Sequence, residues 1–468
     1  MSANRHERYP YHLAKLVFRG LRDYTATPPS EKILLKLFET LYFTSLKTDE
    51  LRSSRCTLNY LDPQDAHAFL SSRENRSGWS VSPLAEPIPC NVHSLLKISE
   101  AVDPTVSSLA VTSDQEGNLF IWALVDQELR YGNHLALDAL ADPVRPGLFQ
   151  STITGVGSIS VSKNFKLLGC LEQNHLITSY HDVLWTGPIH RKIQALLDTY
   201  LGNLLKSRAG LIDANLMAAF RDELFVRWQN SLCRILYNIQ QYRHGGGLLI
   251  VPECPVPDVN IKYGLNYSRL PESLIRLCTQ QIAKRETMQA ISLECLTTNG
   301  MLKYDQYVES IQRQDDLDRL KTEVLGCNRF VASLSNVDGF VLLDRSLSVR
   351  GFGVEARTDD PITSVAVAGD AEASRQNLQK TPIDHYGTRH RAMIRYCNRH
   401  AESLGFVVSQ DGDIRAITRR GDDVILWENI NVQLSYRSEL RRIDGSHETP
   451  LSDKLHEWFF SSHQRRSA

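Results

Sequence analysis

No stretch of the 468 residues strings together the ~20 apolar side chains that a membrane span requires. The opening MSANRHERYPYHL likewise has no apolar segment of the kind that directs secretion. Net charge is equally scarce. The 53 Lys and Arg stand against 54 Asp and Glu, leaving -1, so no global field draws the chain to nucleic acid or to an anionic membrane surface. An anionic ligand then has to be held by a local cluster. Nine cysteines lie at 56, 90, 170, 233, 254, 278, 295, 327 and 397 without a CxxC pair. Their scatter and odd number argue against a disulfide framework or a thiolate zinc site and for a reducing compartment. There is no internal repeat and no low-complexity tract. These absences point to a cytoplasmic protein, long enough for two hydrophobic cores.

What is present changes character along the chain. Residues 9–45 carry two helical patterns, the second running from Ser30, a possible N-cap, through Ile33, Leu34, Leu37, Leu41 and Tyr42. Short β-propensity runs follow at 56–62, 108–114, 118–125, 151–162 and 175–185, several broken by turn residues such as Glu116-Gly117. A small mixed α+β domain over 1–187 is the reading. From Pro188 the apolar period becomes helical through Leu204, and a second long helix is expected over 213–242, so 188–227 reads as connecting helices. In that second helix Phe225, Trp228, Leu232, Ile235, Ile239 and Tyr242 form a seam of nearly three heptads. Such a seam either pairs two protomers or packs on the sheet of the next domain.

Residues 228–435 read as a larger domain, with 436–468 a polar tail. A buried strand is expected at 244–251, helices at 268–293 and 303–327, and strands at 338–344, 349–354, 362–368, 405–409, 413–418 and 423–427. One more helix is expected at 388–404, and 370–385 is the most loop-like part. Strands separated by helices indicate an α+β or α/β layer fold.

Two places in this half carry chemistry. Asp338-Gly339 sits at the mouth of an apolar strand, where a carboxylate on a rigid element can hold a divalent cation or help deprotonate a hydroxyl. Asp-Gly ahead of a strand is also an ordinary turn. Gly387-Thr388-Arg389-His390-Arg391 leads directly into an amphipathic helix. Guanidinium forks and free backbone N–H groups at a helix start suit a polyphosphate, because cations there oppose the macrodipole unless an anion joins them. The alternative is a basic surface turn. Among weaker signals, Gly351 and Gly353 read as hairpin glycines, Cys397 and His400 as core packing, and Trp79, Trp122, Trp185 and Trp228 as core aromatics. Asp413, Arg419 and Arg420 read as a solvated hairpin face.

Taken together, Asp338-Gly339, then Gly-Thr-Arg-His-Arg about fifty residues on, then the strand 405–409 followed by Gln410-Asp-Gly, resemble the diadenylate cyclase domain. This is the family that includes the N-terminal domain of the DNA integrity scanning protein. The helix motif stands here unchanged, the run His244–Val251 is similar to the family's Gly-Gly-Ala-Leu-Ile-Val-type strand, and the resemblance spans about 228–430. The first 210 residues resemble, by general pattern, sensor domains fused upstream of such cyclases.

The resemblance implies that two ATP are condensed into cyclic di-AMP with release of pyrophosphate. Asp338 would bind Mg2+ or Mn2+ and promote attack by the ribose 3′-OH, and Gly339 would let ATP approach the backbone. Gly387, Thr388, Arg389, His390 and Arg391 would hold the phosphates, while Ser409 would add a phosphate or ribose contact. A homo-oligomer with face-to-face cyclase domains is implied, since two ATP must meet; neither a membrane nor a nucleic acid is called for. Phe340 stands beside the nucleotide where the family has Ala, so the pocket is reshaped or the ring faces the core. Gln410 stands where several relatives carry Glu, and Val337 where some carry His, which leaves Asp338 as the main metal ligand. The competing reading is a catalytically silent nucleotide-binding regulator of the same fold.

Overall fold

The computed structural model describes residues 9–432, apart from 23–27, 50–51, 54, 67–78, 105, 128–147, 164–165, 173, 178–180, 208–215, 298–303, 359–360, 411 and 431. The tail expected over 436–468 lies outside the described residues. The chain forms two compact units, the second spanning Ser179–Val432. Both are mixed α+β, each built on one large mixed sheet.

The first unit opens with α1 (Pro10–Leu21) and α2 (Glu31–Ser45). Ser30 caps α2, its hydroxyl accepting from the Ile33 N–H at 3.3 Å. After a two-residue hairpin, β1 (Thr48–Asp49) with β2 (Arg52–Ser53), come β3 (Thr57–Tyr60), β4 (Ser80–Pro89), α3 (Val92–Ser99), β5 (Ser107–Ser113) and β6 (Leu119–Asp126). Then follow β7 (Phe149–Gly155), β8 (Ser158–Lys163), β9 (Lys166–Glu172) and β10 (His175–Ile177). The eight-stranded sheet has the order β10-β9-β8-β7-β3-β5-β6-β4, with β3 and β5 parallel. Leu13, Val17, Leu34, Leu37, Phe38 and Leu41 of the two helices pack on Leu58, Leu109 and Val161 of the sheet in one core. Trp79, Trp122 and Val125 gather in a second cluster, where the Trp122 indole donates to the Leu61 carbonyl at 2.9 Å. Of the run expected as a strand over 175–185, residues 175–177 form β10. Residues 182–185 turn instead into the next helix.

The second unit begins with α4 (Gly187–Ser207) and α5 (Met217–Tyr242), followed by β11 (Gly246–Val251), β12 (Val259–Tyr267), α6 (Arg269–Thr297) and α7 (Tyr304–Ser333). Next come β13 (Phe340–Asp344), β14 (Val349–Ala356), β15 (Ser364–Ala368), β16 (Leu378–Pro382), α8 (Thr388–Arg399), β17 (Leu404–Val408), β18 (Ile414–Arg420) and β19 (Asp423–Trp427). The nine-stranded order is β12-β14-β13-β11-β17-β18-β19-β15-β16. β11 runs parallel to β13 and antiparallel to β17.

Every residue of β11 is buried, as a central strand covered on both faces requires. On one face α8 supplies Met393, Tyr396 and Cys397 to a core with Leu249, Phe340, Leu342 and Val407. The intervening residues Leu248, Ile250, Val341 and Leu343 are fully buried too. The heptad seam of α5 resolves as internal packing: Trp228, Leu232, Ile235 and Ile239 are buried, and α5 lies against α6 and α7. The Trp228 indole also donates to the Arg345 carbonyl at 3.1 Å. α4 groups with this unit, where Lys192 reaches the Thr418 hydroxyl at 2.8 Å and the Ala401 and Arg419 carbonyls.

Trp228 is fully buried and hydrogen-bonded, so Trp228→Ala should cost about 3–5 kcal/mol. Chemical denaturation followed through this unit checks it, and a loss under about 1 kcal/mol would contradict the packing described.

Candidate active site

The sheet topology gathers the site. Because β11 and β13 are parallel, the residues that lead into them, Gly245 and Asp338-Gly339, lie at one edge. β17 runs the other way and ends at that same edge, with Val408 opposite Gly246. The start of α8 arrives there as well: a Cβ placed on Gly245 would stand 3.0 Å from Arg389 Nη1, 3.3 Å from the Val408 carbonyl and 3.4 Å from Gln410 Cγ. Gly245 has φ +71, so the turn into β11 needs glycine and the space left is filled by the Arg389 guanidinium.

Asp338 is 94 % exposed and Arg389 27 %, and Arg389 Nη2 lies 3.4 Å from Asp338 Oδ1. An ion pair this open to water adds little to stability, so both groups are free to exchange each other for a ligand. The acid and the basic motif, fifty residues apart in sequence, thus face one another. Thr388 and Gly387 are exposed at the start of α8, which has no acidic residue in its first turn and no side-chain cap. Arg391 is half-buried, and among the described residues nothing pairs with it.

His390 differs from its neighbours. Its ring is buried and its Nε2 lies 3.1 Å from Arg415 Nη1. Burial, with the guanidinium groups of Arg415 and Arg389, pushes its pKa down to about 4. His390 is therefore uncharged at neutral pH, and the cations of the 387–391 run are Arg389 and Arg391.

Two further residues of the expected site are fixed by the fold. Phe340 turns into the core, 3 % exposed, its Cδ1 2.6 Å from where a Gly247 Cβ would stand, and so offers no ring to a nucleotide. Gly339 is required by the protein itself. With φ +115, a Cβ there would meet the Gly353 carbonyl carbon at 2.6 Å and the Val354 nitrogen at 2.8 Å. Gly353 lies inside β14 rather than in a hairpin turn.

Ser409 closes the turn after β17. Its hydroxyl accepts from the Asp413 N–H at 3.0 Å while its own N–H donates to the Asp413 carbonyl at 2.9 Å. Asp413, read as solvated, is largely enclosed and pairs with Arg415 at 2.8 Å. Gln240, at the end of α5, donates to the Gly412 carbonyl at 2.6 Å and fixes the same turn from behind. Arg415 and Gln240 carried no motif signal, because tertiary packing brings them to the site; Gly245 belongs to the 244–251 run already likened to the family's strand. Cys397 behaves as a core thiol, buried and with its pKa raised to about 12.

Among known families, residues 23–126 match the one described as probable sensor domain DACNV, a sensor-domain family typically found with diadenylate cyclases. No curated protein and no solved structure matches the chain. No helix among the described residues is long and apolar enough to cross a membrane.

His390 makes the fold sensitive to acid in a defined window. As pH falls below 6.5 the unfolded chain takes up a proton that the folded chain refuses until about pH 4, so stability is full above the upper value and is lost towards the lower. His390→Gln should flatten this part of the decline, as read from urea midpoints at about pH 7 and about pH 5. An unchanged acid response would assign the loss to other groups.

Proposed function

We propose that the chain is a diadenylate cyclase whose second unit condenses two ATP into cyclic di-AMP and two pyrophosphates, with the first unit as its sensor. The observation that carries this reading is the meeting of Asp338 with Arg389 of an unaltered Gly-Thr-Arg-His-Arg run at one sheet edge. The sensor-family match over residues 23–126 supports it independently.

On this reading Arg389 and Arg391 take the non-bridging phosphate oxygens, and the N–H groups at the start of α8 add donors along the helix dipole. The ribose 3′-oxygen of one ATP bonds to the α-phosphorus of the other. The bond from that phosphorus to the bridging oxygen breaks, pyrophosphate leaves, and the hydroxyl proton passes to Asp338 or to water. Repeating the step with the roles exchanged closes the ring. Each nucleotide must present its 3′-OH to the other, so two copies of the site work face to face and the active form is a homo-oligomer.

Asp338 suits a divalent ion of the Mg2+ or Mn2+ kind. Such ions take one or two protein carboxylates and draw their remaining ligands from substrate phosphates and water. The described residues hold no group of three or more acidic, His or Cys side chains that would make a closed cage. When bound, the ion supplies charge neutralisation on the phosphate oxygens.

Incubating the full chain with ATP and each metal, then identifying products by mass, should show cyclic di-AMP. Asp338→Asn and Arg389→Ala should each reduce its formation at least about 100-fold. Undiminished output from Asp338→Asn removes the carboxylate from the chemistry. ATP binding without any product, measured beside it by calorimetry, makes the protein a nucleotide-binding regulator instead.

A further inference from the structure

A guanidinium can only donate hydrogen bonds. Arg415 Nη1, 3.1 Å from His390 Nε2, therefore requires that nitrogen to accept, and an imidazole accepting at Nε2 carries its proton on Nδ1 and is neutral. Adding a proton at Nε2 would break the bond and set two cations against each other in a half-enclosed space.

Arg415 is itself held from several sides. Asp413 Oδ2 lies 2.8 Å from its Nη2 and Glu428 Oε1 3.6 Å from its Nε. The Tyr386 ring lies beneath it, 5.5 Å from Cζ to the ring centroid. Asp413 is fixed in turn: its N–H donates to Ser409 Oγ at 3.0 Å, and its Oδ1 accepts from the Asn429 N–H at 3.3 Å. Two carboxylates stand against this one part-enclosed cation, so it is kept beside the site without a counter-ion from solvent.

We infer that Arg415 is a positioning residue for the proposed nucleotide site, pinning His390 as the neutral Nδ1–H form. His390 then adds no positive charge to that met by a triphosphate between about pH 5 and about pH 8. This role rests on the reading of residues 387–391 as the phosphate site. The groups facing His390 are Arg389 from its own helix, Arg415 from β18 and the Tyr386 ring at 6.0 Å, with Asp413 and Glu428 behind Arg415. No carboxylate among them is better placed to favour the imidazolium than the arginines are to oppose it, in keeping with a pKa near 4.

The test is the affinity of the full chain for ATP and for inorganic tripolyphosphate across about pH 5 to about pH 8. Wild type is compared with Arg415→Met, Arg415→Lys and the double variant Arg415→Met/His390→Gln. Each variant is expressed as a ratio to wild type at the same pH, which cancels the titration of the probe. In Arg415→Met the released imidazole becomes cationic on acidification, so its ratio should rise about tenfold from the alkaline to the acid end. Arg415→Lys and the double variant should give flat ratios. A merely structural role for Arg415 lowers affinity equally at every pH, so a flat Arg415→Met ratio overturns the proposal, as does a rise that survives His390→Gln.

A second measurement needs no change at Arg415. In 15N spectra of wild type, with His390→Gln used for assignment, the His390 Nε2 should be unprotonated at about pH 6. An Nε2–H tautomer or an imidazolium there overturns the proposal even if the Arg415 variants do not fold. Failure of wild type to bind either probe at any pH sinks the nucleotide site together with the role given to Arg415. Normal binding with a flat Arg415→Met ratio sinks that role alone.

Discussion

Parallel pairing of β11 with β13, from Leu248 opposite Val341 to Val251 opposite Asp344, is the constraint on which the site depends. A parallel pair starts at one edge, so the turn at Gly245 and the Asp338-Gly339 step are neighbours by topology. Antiparallel β17 delivers Ser409 and Gln410 to the same edge, and α8 begins above it. Slipping β13 by one residue would exchange the faces of Phe340 and Val341 and carry Asp338 away from Arg389. The close approach of Gly339 to the Gly353–Val354 backbone locks that register, since no other residue has both the space and the conformational freedom.

The electrostatics divide along the same edge into an open part and an enclosed part. Arg389, Arg391 and Asp338 have access to water, where their mutual attraction is weak and a polyanion with its cation can replace it. Behind them Arg415, Asp413, Glu428 and the neutral His390 form a set in which two carboxylates hold one guanidinium. On the proposed reading, rigidity comes from the enclosed set and chemistry from the open one, the division expected of a preorganised site. The turn at residues 409–413 belongs to both. It carries Ser409 towards the edge, while its far end is tied to α5 through Gln240.

The strands that sequence reading left out share a physical character. β4, β12 and β16 lie at sheet edges and are largely exposed, so they have no continuous apolar run to announce them. β4 also carries Pro83, Pro87 and Pro89, which only an edge tolerates because one side of the strand needs no donors. β9 is the exception: Gly169 inside it gives way to Leu13 and Leu16 of α1, an accommodation visible only once the helix is docked. The long helices were legible because their apolar period is strong, and α8 because its motif and its amphipathic face coincide. It ends at Arg399, short of the expected 404, where His400 leaves helical geometry and pairs with Asp258.

The sequence alone determined the class of fold, the central buried strands, most helices, and the two segments holding the acid and the arginines. All of these are encoded locally, in periodicity or in a short motif. Tertiary structure alone decided that Asp338 and Arg389 meet, that Phe340 turns inward, and that His390 is buried against Arg415. It also decided that the heptad-like seam of α5 is spent within its own unit. Each of these outcomes depends on which strand lies beside which. The strands that build the site, β11 with β13 and with β17, lie far apart in the chain, and no local pattern along the chain records their register.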